Sequence, residues 1–129
     1  MIVTGAFLAE AAAAVDNQLN VQGGVLSRFA LGPDRFVRFV LVVLTQAETG
    51  SSDRRVDVEI RPPTGDEPLR LDFEVPEVAV AEFPGFAYFD IQVKLPEDGR
   101  WVLVVTGGTG AISLPLLVTE MTPPPSFGI

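Results

Sequence analysis

The side chains in this sequence with the most capacity for chemistry are carboxylates. Seventeen Asp and Glu stand against eight Arg and one Lys, with no histidine and no cysteine. The two missing types exclude a Ser-His-Asp triad, a cysteine nucleophile, a thiolate zinc site, an Fe–S cluster and any imidazole ligand. Neither a transition metal nor a cofactor is expected. Asp66-Glu67 and Glu97-Asp98 are adjacent acids in turn-forming segments. Loop carboxylates can chelate calcium, which wants roughly six to eight oxygens, but no EF-hand spacing is present. Adjacent acids in turns are ordinarily solvated turn formers. A paired-carboxylate hydrolase needs two acids about 5–9 Å apart in a cleft, and seventeen acids supply such a pair by chance. Lys94, the single lysine, would have to serve a Ser–Lys dyad, yet it falls on the polar side of an alternating segment. Gly107-Gly108-Thr109-Gly110 lacks the Lys-Ser/Thr ending and the following helix of a phosphate loop, so it reads as a hairpin tip. No catalytic residue is assigned, and the chain is expected not to be an enzyme.

Aromatic side chains offer a second kind of site. Residues 82–89 (EFPGFAYF) are the densest aromatic segment, and Phe83, Phe86 and Tyr88 are not all on the core-facing set of the strand that follows. Exposed aromatics can bind sugar rings or protein grooves, and they can equally cap the open end of a sheet stack. These three residues are the binding candidates. Trp101 shares a face with Leu103 and Val105 and is expected in the core.

The elements that must position these residues are strands. Val56, Val58 and Ile60 alternate with charged neighbours, as do Leu69, Leu71, Phe73 and Val75. Ala87, Phe89, Ile91, Val93 and Leu95 form a third run, Trp101, Leu103 and Val105 a fourth, and Ile112, Leu114, Leu116 and Val118 a fifth. Period two with one apolar face predicts strands with one side on a core and the other in water. Pro62-Pro63-Thr64-Gly65-Asp66 and Pro96-Glu97-Asp98-Gly99 carry turn chemistry between them. Nearer the N-terminus, Asp16-Asn17 predicts a hairpin turn leading into residues 19–22. The pair Gly23-Gly24 then signals a bulge or a close backbone approach, before a further strand at residues 25–31. Residues 7–15 (FLAEAAAAV) suit a helix on alanine propensity, but no capping residue stands just ahead of Phe7, and the segment leads into a hairpin turn. A strand is the preferred reading.

Residues 36–45 (FVRFVLVVLT) are apolar on both faces, which predicts a strand covered on both sides. A two-layer stack covers one face only. The sequence therefore predicts a homodimer or higher oligomer, with Val40, Leu41 and Val42 at the interface, or else cover from the N-terminal segment. Residues 122–129 (TPPPSFGI) form a Pro-rich tail after a domain of residues 1–121, with Phe127 and Ile129 as anchors for docking.

A chain of 129 residues with 47% hydrophobic content supplies one core without disulfides. The 11 Pro and 12 Gly cut it into short pieces, favouring strands over long helices. A formal net charge of −8 repels phosphate backbones and anionic lipid, so neither nucleic acid nor membrane is an expected partner. Residues 1–8 are apolar, but no Lys or Arg precedes them and Glu10 interrupts, so no secretory signal is predicted. No apolar stretch reaches the roughly 18 residues of a membrane-spanning helix.

Asp16 to Gly24 (DNQLNVQGG) resembles the signature of a family of small uncharacterised actinobacterial proteins, classed as a domain of unknown function. That signature is an Ala-rich N-terminal strand, an Asp-Gly-x-Leu turn and a short apolar strand closing on Gly-Gly. Asn17 stands here in place of the turn Gly and also tolerates positive φ. The apolar strand at residues 39–44 and the Pro/Gly turn at 62–65 extend the likeness. The resemblance implies a bacterial cytoplasmic protein and strands over residues 3–14, and it carries no activity.

The reading as a whole is an all-β domain, an immunoglobulin-like β-sandwich of seven to eight strands. Its expected role is a non-enzymatic interaction or assembly module acting through a sheet face or edge, with itself or another protein as partner. The alternative is a small-molecule or carbohydrate-binding module using Phe83, Phe86 and Tyr88.

Overall fold

The computed structural model describes residues 1–81 and 85–121. The chain is all-β. Its strands are β1 (Ile2–Ala9), β2 (Ala11–Val15), β3 (Gln18–Gln22), β4 (Arg28–Leu31), β5 (Phe36–Gln46), β6 (Arg55–Arg61), β7 (Leu69–Glu74), β8 (Gly85–Lys94), β9 (Gly99–Gly107) and β10 (Gly110–Glu120). A single helical turn, α1 (Val78–Ala81), stands between β7 and β8. The described residues form ten strands, where seven or eight were expected. The difference arises mainly near the N-terminus, where the Ala-rich segment is strand on either side of Glu10, at which it breaks into β1 and β2.

Three sheets result, with orders β1-β5-β8, β4-β10-β9-β6-β7 and β2-β3. Neighbouring strands are antiparallel except β4 and β10, which run parallel. The core lies between the three-stranded and five-stranded sheets. Val37, Phe39, Leu41 and Val43 of β5 and Ala87, Ile91 and Val93 of β8 meet Val56, Val58 and Ile60 of β6, Trp101, Leu103 and Val105 of β9, and Leu116 and Val118 of β10. These are the apolar positions of the period-two runs. Burying the alternating set of each strand is worth about 1.5–3 kcal/mol per large side chain, which outweighs any single turn or cap. The Trp101 indole N–H donates to the Glu97 carbonyl at 2.9 Å, so the one polar atom of that buried ring is satisfied.

The second face of β5 is covered at its centre within one chain. Val40 and Val42 point away from the main core yet are only 6% and 0% exposed. Their register neighbours on β1 are Ala9 and Phe7, and the β2–β3 hairpin folds back so that β2 packs against β5. Gly24 follows that hairpin. A Cβ at Gly24 would sit 3.3 Å from the Phe7 ring and 2.9 Å from a Val21 methyl, so the Gly-Gly pair marks a close approach of the returning chain.

The hairpin turn itself is set by its residues. Val15 faces Gln18, and the two between them, Asp16 and Asn17, have φ of 52° and 61°. Two left-handed residues in a two-residue loop match the twist of the flanking strands. Asn17→Ala is expected to lower stability by about 1 kcal/mol, and Asn17→Gly to preserve it, because alanine is strained in this conformation. Urea unfolding of both variants checks this. An unchanged midpoint for Asn17→Ala would show that the turn is built differently.

Candidate functional site

The two flanks of the stacked sheets are finished in different ways. On the flank of β1 and β4, the main chain itself ties the sheets together. Glu10 N–H donates to Gln22 O at 3.0 Å, Leu26 N–H to Leu8 O at 2.7 Å, and Leu117 N–H to Ser27 O at 2.8 Å. Residues 22–31 thus run from the edge of one sheet to the edge of the other. On the flank of β7 and β8, the two edge strands meet through side chains. Phe73 of β7 stacks on Phe89 of β8 with ring centroids 4.6 Å apart and planes 17° from parallel.

Among the described residues, β8 pairs with β5 alone and β7 with β6 alone. The edge strands differ in how they are protected. Native edges are blunted by shortness, proline, bulges or charge. β4 has four residues, β1 carries a register shift between Val3 and Gly5 and receives Leu26, and β7 alternates Arg70, Asp72 and Glu74 on its outer side. β8 carries the charges Asp90 and Lys94 on its outer face, but it runs ten residues without proline, and its register against β5 is unbroken from Phe36↔Lys94 to Thr45↔Gly85.

Beside the start of β8 lies a groove of about 380 Å³. It is lined by Ala14 and Asn17 of the β2–β3 hairpin, by Glu74, Pro76 and Val78, and by Phe86 and Tyr88 of β8. The hairpin that covers the outer face of β5 therefore also lines this groove. Phe86 is half-buried, Tyr88 is 39% exposed, and Val78 at 75% is one of the most exposed apolar residues described. Helix α1 is held in place. Thr45 Oγ1 donates to the Ala79 carbonyl at 2.9 Å, and a Cβ on Gly85 would collide with that same carbonyl. Only glycine lets β8 start against α1.

A second depression of similar volume lies on the outer face of β6, β7 and β9, lined by Arg55, Asp57, Glu59, Arg70 and Asp72 among others. Each of these acids has a cationic partner. Arg55 pairs with Asp57 at 2.9 Å and Arg61 with Glu59 at 2.8 Å. The hydrogen bond that Arg55 donates to the Asp57 carboxylate, with that carboxylate's charge, raises the Arg55 pKa above the usual arginine value, so this guanidinium stays charged throughout the working pH range.

The structure brings Phe86 and Tyr88 together at the groove, while Phe83 lies outside the described residues, as do Phe127 and Ile129. Leu41 is core, and Val40 and Val42 are beneath the hairpin, so none of the three offers surface from a single chain. Of the paired acids, Asp98 binds Arg35 at 2.7 Å and Asp66 accepts from Thr64 at 3.1 Å, as turn residues do. Among the described residues no group of three or more acids could hold a metal ion. Lys94 is exposed on the outer face of β8. No described helix is long and apolar enough to cross a membrane. Sequence reasoning anticipated Asn17 as a turn residue and a sheet edge as a surface, but not Val78, the place of Asn17 at the groove, or β8 as the strand that carries the edge. Val78 comes two residues after Pro76 and precedes no regular run, so no periodicity marks it.

Compared with known proteins, the chain matches no family model, and no significant match is found among curated proteins or solved structures.

Proposed function

We propose that this protein is a non-enzymatic interaction module that takes an extended protein segment along the β8 edge and into the adjoining groove. The observation that carries the reading is the edge itself: ten residues, no proline, no bulge and no second strand partner among the described residues. Strand addition supplies affinity through main-chain hydrogen bonds, while side-chain pockets supply selectivity. Phe86, Tyr88 and Val78 are the apolar anchors such a segment would meet.

We further propose an immunoglobulin-like sandwich as the fold, and strand order supports it. With β1, β5 and β8 as strands A, B and E, and β6, β7, β9 and β10 as C, C′, F and G, the sheets read A-B-E and G-F-C-C′. The fold's strand D would pair with β8. Between β7 and β8 the described residues form the turn α1 and no strand, which accounts for the open edge. A cytoplasmic location belongs to the same proposal, on the absence of cysteine.

The test is selection of displayed extended peptides against the full chain. Binders are expected to shift backbone amide resonances of β8, and Tyr88→Ala and Phe86→Ala to weaken them about tenfold or more each. Selection of no peptide, or binders indifferent to both substitutions, would count against the edge. The second reading, a small-molecule or sugar site, is favoured by the partly exposed Tyr88 ring lying in one groove with the Asn17 amide. It predominates if oligosaccharides bind, Tyr88→Ala abolishes their binding, and no peptide is selected.

A further inference from the structure

The strand that the β8 edge accepts has a chemistry that the outer face of β8 itself specifies. Asp90, Gln92 and Lys94 occupy successive outward positions, exposed, on the half of β8 away from the groove. Ile91 and Val93 between them face the core. We propose that the partner at this edge is a second copy of the chain, with β8 pairing antiparallel to β8 of the copy about a two-fold axis at Gln92. This rests on the reading of β8 as an acceptor edge.

The register follows from charge. Around a two-fold axis, residue i faces residue j when their numbers have a constant sum. With the axis at Gln92, Asp90 faces Lys94 of the copy and Lys94 faces its Asp90, so two opposite-charge pairs form. With the axis at Asp90, two aspartates oppose each other. With the axis at Ile91, Asp90 meets Gln92 and neither charge finds its opposite. Cross-strand opposite charges stabilise a sheet and like charges destabilise it. The Gln92 axis also sets Ile91 against Val93, so the apolar face of one three-stranded sheet continues into the other and makes six strands. Arg38 of β5 already sits 3.5 Å from Asp90, with both side chains well exposed.

Two single substitutions test this, because each breaks both pairs and together they restore both. In D90K, positions 90 and 94 are both Lys. In K94D, both are Asp. Each homodimer then apposes like charges, whereas a mixed dimer of D90K with K94D contains two Lys–Asp pairs. Wild type is expected to sediment as a dimer at tens of micromolar. Each variant alone is expected to dissociate roughly tenfold to a hundredfold more readily. An equimolar mixture should return to the dimer, with both variants in it. All positions are exposed, so circular dichroism and melting curves should match wild type. A wild-type monomer at these concentrations, single variants that dimerise as well as wild type, or a mixture that stays monomeric each overturns the proposal. The peptide selection reports separately on the edge, so loss of self-pairing with retained peptide binding would reject only the second copy as partner.

Discussion

Val42→Asp is expected to unfold the protein, although Val42 points away from the main core. The side chain is 0% exposed, lies opposite Phe7 of β1, and is covered by the β2–β3 hairpin. A carboxylate placed there has no cation to pair with and loses its water. An uncompensated buried charge costs roughly 3–5 kcal/mol, a large share of the total stability of a domain this size. Leu44, two residues along the same face, is 38% exposed, and Leu44→Asp is expected to change stability by less than about 1 kcal/mol. The measurement is urea unfolding followed by Trp101 fluorescence, with circular dichroism where no transition is left. A Val42→Asp protein as stable as the Leu44→Asp protein would show that the hairpin does not close this face. If it were folded and only its assembly were lost, the cover would come from another subunit.

Phe39→Ala is expected to cost about 3–5 kcal/mol, the range for removing a large aromatic from a packed core. Phe39 is completely buried, on the core side of β5, and its ring lies 5.9 Å from that of Phe29 on β4, tilted by 40°. The contact joins the three-stranded sheet to the edge of the five-stranded one, so truncation opens a cavity that two sheets cannot both close. Phe36, three residues earlier on the same strand, is 62% exposed, and Phe36→Ala is expected to cost no more than about 0.5 kcal/mol. The contrast between two phenylalanines of one strand measures the period-two pattern directly. Equal losses would mean that β5 is rotated or slipped, because a slip of one residue exchanges the faces.

Much of the fold was legible because side-chain alternation is local. The runs at residues 56–60, 69–75, 87–95, 101–105 and 112–118 became β6 to β10, and their turns carry the residues that positive φ requires, Gly65, Gly99 and Gly108. The Ala-rich segment was harder to read. Alanine is indifferent to burial and favours helix, and strand wins here because β5 and β3 supply hydrogen-bonding neighbours, to β1 and β2 respectively, that no propensity encodes. The break at Glu10 has no sequence signal beyond one charge in an apolar run. Phe86 and Tyr88 were recognisable as non-core aromatics from parity alone, but the groove they line needs Ala14 and Asn17, roughly seventy residues away in the chain.

Residue types and their spacing determined by themselves that the chain is built of strands, which face of each is apolar, and that imidazole and thiol chemistry are absent. These follow from composition and from a period of two residues, and no distant contact can change them. Tertiary structure alone decided which strands are neighbours, and so which edges stay open. Two apolar faces on β5 require cover, yet the requirement is the same whether a second subunit or the chain's own hairpin meets it. Within one chain the hairpin covers Val40 and Val42, and Gly24 marks where the returning chain comes close to Phe7. The same fold-back, with residues 26–31 crossing between sheets, seals one flank with main-chain hydrogen bonds and leaves β8 on the other. An unpaired edge is a property of what lies beside a strand, and nothing within residues 85–94 encodes it.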